Sequence, residues 1–223
     1  MGINCGLNLS MTSHRGVSSS WFNEGVFAGS TMALDFQNDR YMLNGAEVNA
    51  SDLITGHTGL IDSNGIHIDT EDVHFTDQTW HDSAAGTILI SASHTHVTNI
   101  VLLGLDGVEG IETHPEDDRV EHWEGTTLLT ANTMADASPP SQNWTSGAKM
   151  ALSWQAAGSP PVYSRRLCMG GGTVASDANN SGDVGTIYLG SRTGSSKWWN
   201  GYIEYMVYFP DFKTEAALQT LTT

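Results

Sequence analysis

Gly201-Tyr202-Ile203-Glu204-Tyr205-Met206-Val207-Tyr208-Phe209, followed at once by Pro210, is the clearest strand in the chain. It is rich in aromatic and β-branched side chains, which fit a pleated, half-buried surface better than a helix. Read with a period of two, Ile203, Tyr205, Val207 and Phe209 share one face, and Tyr202, Glu204, Met206 and Tyr208 the other. Pro210 cannot donate to a ladder and ends the strand. Beyond it, Thr214 to Leu221 is the one segment with helical character, with Thr214 as N-cap and Leu218 and Leu221 as its apolar stripe.

Working back from this stretch, further short strands are expected over Gly185–Gly190, Ala148–Trp154, Gly125–Thr130, Asn99–Leu105, Gly86–Ser93, Arg40–Leu43 and Met32–Phe36. Turn residues separate them, and Asn44-Gly45 is a tight-turn signal. Many short strands with regular turns and one terminal helix indicate an all-β, two-sheet antiparallel sandwich or jelly roll. Residues 1–31 differ from the rest: they are rich in Gly, Ser and Asn, with short apolar pieces at Trp21-Phe22 and Val26-Phe27. The expected organisation is an N-terminal docking arm over 1–31 and one jelly-roll domain over 32–223.

A chain of 223 residues suits a single generous sandwich. Its 39% hydrophobic content is that of a folded protein rather than a disordered one. With 25 acidic against 9 basic side chains, the formal charge of −16 repels a polyanion, and phosphate-binding Lys/Arg clusters are missing, so no nucleic-acid partner is expected. No apolar run reaches membrane-spanning length, so no membrane insertion is expected either. The first twenty residues lack a basic stretch followed by an apolar one, so no secretory signal is expected. Two distant cysteines, Cys5 and Cys168, make no disulfide framework.

Two segments resemble a known group. Leu189-Gly190-Ser191, Trp199-Asn200-Gly201-Tyr202-Ile203, Tyr208-Phe209-Pro210 and Thr214-Glu215 to Leu221 are similar, in that order, to the close of concanavalin A-like (laminin G-like) domains. Leu34-Asp35-Phe36, Tyr41, Asn44-Gly45, Val48 and Ser51-Asp52-Leu53 resemble a leader of tailed-phage virion proteins that carry such domains. The resemblance covers most of 32–221, and residues 106–145 depart from it. It implies a jelly roll on a phage particle, as a capsid decoration or a tail-associated receptor-binding module. Other virion subunits, a homo-oligomeric neighbour and a surface glycan would be its partners.

The same fold hosts glycan hydrolases, so chemistry has to be sought residue by residue. Sugar-cleaving carboxylates at alternate positions of one strand, Glu-x-Asp-x-Glu, do not occur. Glu116-Asp117-Asp118, Glu121 and Glu124 follow Pro115 and read as solvated loop charge. Neither a nucleophile elbow nor a phosphate loop is present. No catalytic residue is therefore expected. His94 and His96, spaced i, i+2 at a strand end, could share a metal if His57, His74 or His81 supplied a third ligand; otherwise they are two histidines at a strand end. Asp177, Asn179, Ser181 and Asp183 have the alternating oxygens of a calcium loop, with Gly182 at the turn, but position 12 is Tyr188 instead of the closing Glu. No cofactor is therefore expected, with calcium at this loop as the possible exception and an ordinary hairpin loop as the alternative.

Aromatic residues offer the remaining signal, with seven tryptophans in the chain. Trp198-Trp199 are adjacent, so on a strand one faces the core and the other the outside. An exposed indole stacks on sugar rings or fills a partner's pocket. Trp123, Trp144 and Trp198 are the candidate ligand-binding residues. These readings converge on a non-enzymatic virion accessory protein that displays a lectin-like jelly roll; a stand-alone glycan-binding lectin is the first alternative and a glycan-cleaving enzyme the second.

Overall fold

A computed structural model describes residues 20–57, 61–69, 73–76, 79–94, 100–105, 109–114, 119–124, 127–133, 147–157, 162–180, 187–191 and 199–223. The first strands are β1 (Met32–Asp35), β2 (Arg40–Leu43), β3 (Ala46–Val48), β4 (Ile54–Thr55), β5 (Ile61–Asp62), β6 (Gly65–Ile68) and β7 (Val73–Phe75). The middle ones are β8 (Ala85–His94), β9 (Ile100–Leu105), β10 (Glu109–His114), β11 (Arg119–Glu124) and β12 (Thr127–Thr133). Last come β13 (Ala148–Ala157), β14 (Val162–Met169), β15 (Ala175–Asn180), β16 (Ile187–Leu189) and β17 (Gly201–Phe209), with helices α1 (Ala50–Leu53) and α2 (Glu215–Thr222).

Two antiparallel sheets result. The large one runs β15-β14-β13-β8-β17-β1-β2-β3, with β6 and β5 attached beside β17. The small one runs β12-β11-β10-β9-β16-β7-β4. Apolar side chains from both sheets share one core: Met32, Leu34, Ile88, Ile90, Met150 and Met206 from the large sheet meet Val73, Phe75, Ile111, Ile187 and Leu189 from the small one. The chain is therefore the two-sheet antiparallel sandwich with a C-terminal helix that its sequence requires. Strand β17 ends at Phe209 ahead of Pro210, and the Thr214 hydroxyl caps α2 by accepting from the Ala217 amide at 3.2 Å.

The faces of β17 depart from simple alternation. Ile203 lies in the inter-sheet core together with Met206 and Tyr208, whereas Tyr205, Val207 and Phe209 lie on the opposite face. The cause is a β-bulge. Ile203 is opposite Ala92 and Tyr205 is opposite Ser91, so Glu204 is an extra residue and the phase slips by one. At the same point the other edge of β17 changes partner, from β6 at Gly201–Ile203 to β1 from Tyr205 onward. The Ser91 hydroxyl donates to Glu204 Oε2 at 2.7 Å and helps to anchor the bulge.

The outer face of the large sheet is apolar and is covered by the chain's own ends. Ala33, Met42, Leu89, Ala151, Val207 and Phe209 form a second cluster there with Trp21 and Leu218. Trp21 meets Phe27 edge-on at 4.9 Å, its indole N–H donates to Glu47 at 3.2 Å, and the Arg40 guanidinium lies over its ring at 4.7 Å. Arg40 is ion-paired with Asp35, a buried carboxylate that also accepts from the Asn38 amide. The crossing from β17 to α2 is held by paired hydroxyls: Thr87 and Ser153 are 2.7 Å apart, Thr87 donates to the Asp211 carbonyl, and the Lys213 amide donates to Ser153. Residues 21–31 thus pack on the same sheet as the domain they precede, and residues 1–19 lie outside the described residues.

Between the sheets, aromatic rings close one end of the core. Trp80 lies 4.6 Å from Phe75 and 5.3 Å from Tyr208, and Tyr208 stacks on Trp154 at 6.0 Å. The Tyr208 hydroxyl accepts from the Asp82 amide and donates to the Ala85 carbonyl, while the Trp154 indole donates to the Asp82 carbonyl. Gly86 leaves room for this stack, since a Cβ there would come within 2.6 Å of both rings.

Candidate functional site

The inner face of the small sheet is committed to the core through Ile54, Val73, Phe75, Ile111, Ile187 and Leu189. Alternation along each strand then sends Thr55, His74, Tyr188 and Gly110 to the opposite, outer face. Cross-strand register joins them into a single row. Thr55 is opposite His74, His74 opposite Tyr188, and Tyr188 opposite Gly104. Gly104 is opposite Gly110, Gly110 opposite Trp123, and Trp123 opposite Leu128. The row crosses all seven strands of the sheet.

Its middle is bare of side chains. Tyr188 and Trp123 are three inter-strand steps apart, about 14 Å, and both positions between them are glycine. Thr55 is exposed, while His74 and Tyr188 are half-buried with ring centroids 6.0 Å apart and planes inclined by 54°. Gly110 is buried although it has no side chain. One register step from Gly110 and Trp123, Glu112 stands directly opposite Glu121, and one step further His114 stands opposite Arg119. These four positions share the outer face with the row.

Of the residues singled out from sequence, Trp123 is on this row by its backbone register, and its side chain is outside the described residues. Trp144 and Trp198 lie outside the described residues. Trp199, the neighbour of Trp198, is fully buried, and its indole N–H donates to the Tyr202 carbonyl. Asp177 and Asn179 lie in β15 at the edge of the large sheet, where β14 and β15 pair with a bulge, and Ser181 and Asp183 lie outside the described residues. His94 ends β8 and His96 lies outside the described residues. His74 packs on Tyr188 and His81 on Trp80 at 4.8 Å, and no three potential metal ligands come together among the described residues. Glu121 and Glu124 belong to strand β11 rather than to a loop.

Sequence reading missed Tyr188, His74, Gly104, Gly110 and Glu112 as members of one face. Tyr188 stood out only as the residue that breaks the calcium pattern. A signal was present in Val73-His74-Phe75 and Ile187-Tyr188-Leu189, where an aromatic or imidazole ring lies between two apolar residues. On a strand that spacing buries the flanks and turns the ring outward. What no local pattern supplies is the register that sets both rings and two glycines in line with Trp123.

The two packed antiparallel sheets define the class of fold, a β-sandwich. Among solved structures, domain 4 of AbnA, a GH43 extracellular arabinanase from Geobacillus stearothermophilus in complex with arabinotriose, is similar with a TM-score of 0.59 at 12% identity; the match covers 87% of this chain and 98% of that one. Trypanosoma rangeli sialidase is similar with a TM-score of 0.51 at 13% identity over 80% of this chain, which spans 34% of that protein. At such identities the likeness establishes the β-sandwich fold. No protein-family profile matches the chain, and no curated protein matches it.

Proposed function

We propose that this protein is a non-catalytic glycan-binding β-sandwich module whose ligand lies on the outer face of the small sheet. The observation that carries the reading is the row His74–Tyr188–Gly104–Gly110–Trp123. Sugar rings bind through their C–H faces to aromatic faces, with a few polar groups fixing orientation. Gly110 stands opposite Trp123 and Gly104 opposite Gly110 in the register, so an aromatic position borders two backbone positions that carry no side chain. The fold neighbour solved with arabinotriose adds support, since a sandwich of this shape can carry an oligosaccharide.

The module's setting is the finer part of the proposal. The resemblance of its leader to tailed-phage virion proteins supports a place on a phage particle, with virion subunits and further copies of the chain as neighbours. Mass spectrometry of purified particles tests the setting, and absence of the chain from them removes it. A glycan array with and without calcium tests the binding, with Trp123→Ala and Tyr188→Ala as controls. Binding that is lost in both variants at unchanged melting temperature is the expected result; a silent array, or binding that survives both changes, ends the reading.

A second reading, glycan cleavage, has one observation in its favour. Glu112 and Glu121 stand directly opposite each other in the β10–β11 register, and a facing pair of carboxylic acids is what retaining glycosidases use.

A further inference from the structure

We infer that Asn44 is a site of spontaneous covalent modification, where the Gly45 amide converts the asparagine to aspartate and isoaspartate. Three Asn-Gly pairs occur in the chain: Asn44-Gly45, Asn64-Gly65 and Asn200-Gly201. In sequence they are equal candidates, because glycine has no side chain to shield its amide nitrogen. The Gly45 nitrogen forms a bond to the side-chain carbonyl carbon of Asn44. The bond from that carbon to the side-chain nitrogen breaks, and ammonia leaves with the proton that the Gly45 amide gives up. Water then opens the resulting imide ring. Attack at the side-chain carbonyl gives aspartate, and attack at the backbone carbonyl gives isoaspartate, whose main chain runs through the former Asn44 Cβ.

The fold separates the three pairs. Asn44 and Gly45 are both exposed and form the turn between Leu43 and Ala46, which pair with each other. Gly45 is thus outside the ladder, and its N–H donates to the Met42 sulfur at 3.2 Å, a weak acceptor. A Cβ placed on Gly45 would meet nothing within 4 Å, so there is room around the reacting nitrogen. Gly65, in contrast, is buried, pairs with Asp62 and is pressed against the Ile203 carbonyl. Gly201 is buried and pairs with Ile68 on one side and His94 on the other. At those two sites a strand must first open, and the free energy of opening adds to the barrier. Conversion at Asn44 also has a structural consequence. The Asn44 N–H donates to the Thr31 carbonyl at 2.6 Å, and the Thr31 N–H donates to the Tyr208 carbonyl at 3.0 Å. The turn therefore ties down the point where residues 21–31 join the sheet, and isoaspartate lengthens that turn.

Incubation of the full chain in mildly alkaline buffer, followed by peptide mapping with mass spectrometry, tests this. Conversion at Asn44 is expected to be at least about tenfold faster than at Asn64 or Asn200. In denaturant the three rates should converge, since the ladders that protect two of the sites are gone. Conversion at Asn64 or Asn200 as fast as at Asn44 in the folded chain overturns the inference. So does an Asn44 that stays intact when folded yet converts when unfolded. A preference for Asn44 that survives unfolding overturns the structural cause. The aged protein should melt below the variant Asn44→Asp, which carries the new charge on a backbone of normal length. Equal melting temperatures overturn the role of this turn in holding residues 21–31.

Discussion

A Cβ at Gly65 would be driven into the carbonyl oxygen of Ile203, and this approach of two backbones is what lets β6 and β1 share one edge of β17. Gly65 also holds φ at +113°, a conformation that side chains rarely adopt. Gly65→Ala is therefore penalised twice, by contact with backbone that cannot rotate away and by torsional strain. A loss of at least about 2 kcal/mol is expected, read as a fall in the urea midpoint. A variant that melts with the parent would mean that the β6–β17 junction is looser than its geometry requires.

That junction also marks the limit of what was legible in the chain. The existence of β17, its stop at Pro210 and the cap of α2 depend on residues within a few positions, and they follow from sequence. The bulge at Glu204 depends on where one partner strand ends and another begins, which no local period contains, so Tyr205 and Ile203 were expected on one face and lie on two. Strand β15 reads as a turn because Ala175-Ser-Asp-Ala-Asn-Asn180 contains residues that strands avoid; pairing with β14 at the sheet edge overrides that preference. Arg119-Val-Glu-His-Trp-Glu124 carries almost no apolar rhythm, and it is a strand because β10 and β12 hold both its edges. Of the candidate site, Trp123 was legible as an aromatic residue, whereas the row around it is a property of register.

Trp21 belongs to the folded body, buried against Phe27 and under the Arg40 guanidinium. Trp21→Ala is expected to cost about 3 kcal/mol, seen as a lower melting temperature. Deletion of residues 1–31 should cost more, because it uncovers Ala33, Met42 and Val207 on the outer face of the large sheet. A test of the N-terminal segment as a particle tether therefore needs a deletion that stops short of Trp21. A Trp21→Ala protein as stable as the parent would show that this cover contributes little.

The glycine gap can be tested by filling it. Valine suits a strand, so Gly104→Val should leave the melting temperature within a few degrees while placing a side chain between Tyr188 and Trp123. Glycan affinity is expected to fall at least about tenfold, the loss of one good contact. Unchanged affinity in a folded variant would remove the gap from the site.

Tyrosine burial sets an alkaline limit to stability. Burial pushes the Tyr205 hydroxyl up to about 12, and desolvation also raises Tyr41, with Asp39 nearby, and Tyr208. The folded state holds these protons more tightly than the unfolded one, so their contribution is complete below about pH 10 and is lost as pH rises through the folded-state values. Melting temperature should fall between pH 10 and 12, and Tyr205→Phe should flatten part of that fall, on the order of 1–3 kcal/mol at pH 12. A profile that is flat over this range would contradict the burial of these hydroxyls.

Glu112 and Glu121 separate the binding and cleaving readings, because each predicts a different response to one change. As a structural pair of like charges, they repel across the β10–β11 register, so Glu121→Gln should stabilise the sheet by about 0.5 kcal/mol. As an acid and a nucleophile, they would generate new reducing ends from a bound polysaccharide, and either Glu→Gln change would abolish that. A non-catalytic module gives the first result without the second: slightly higher stability, retained binding, and a polysaccharide solution whose viscosity stays constant. Viscosity that falls with the parent protein and holds with Glu112→Gln would make the row the floor of an active site.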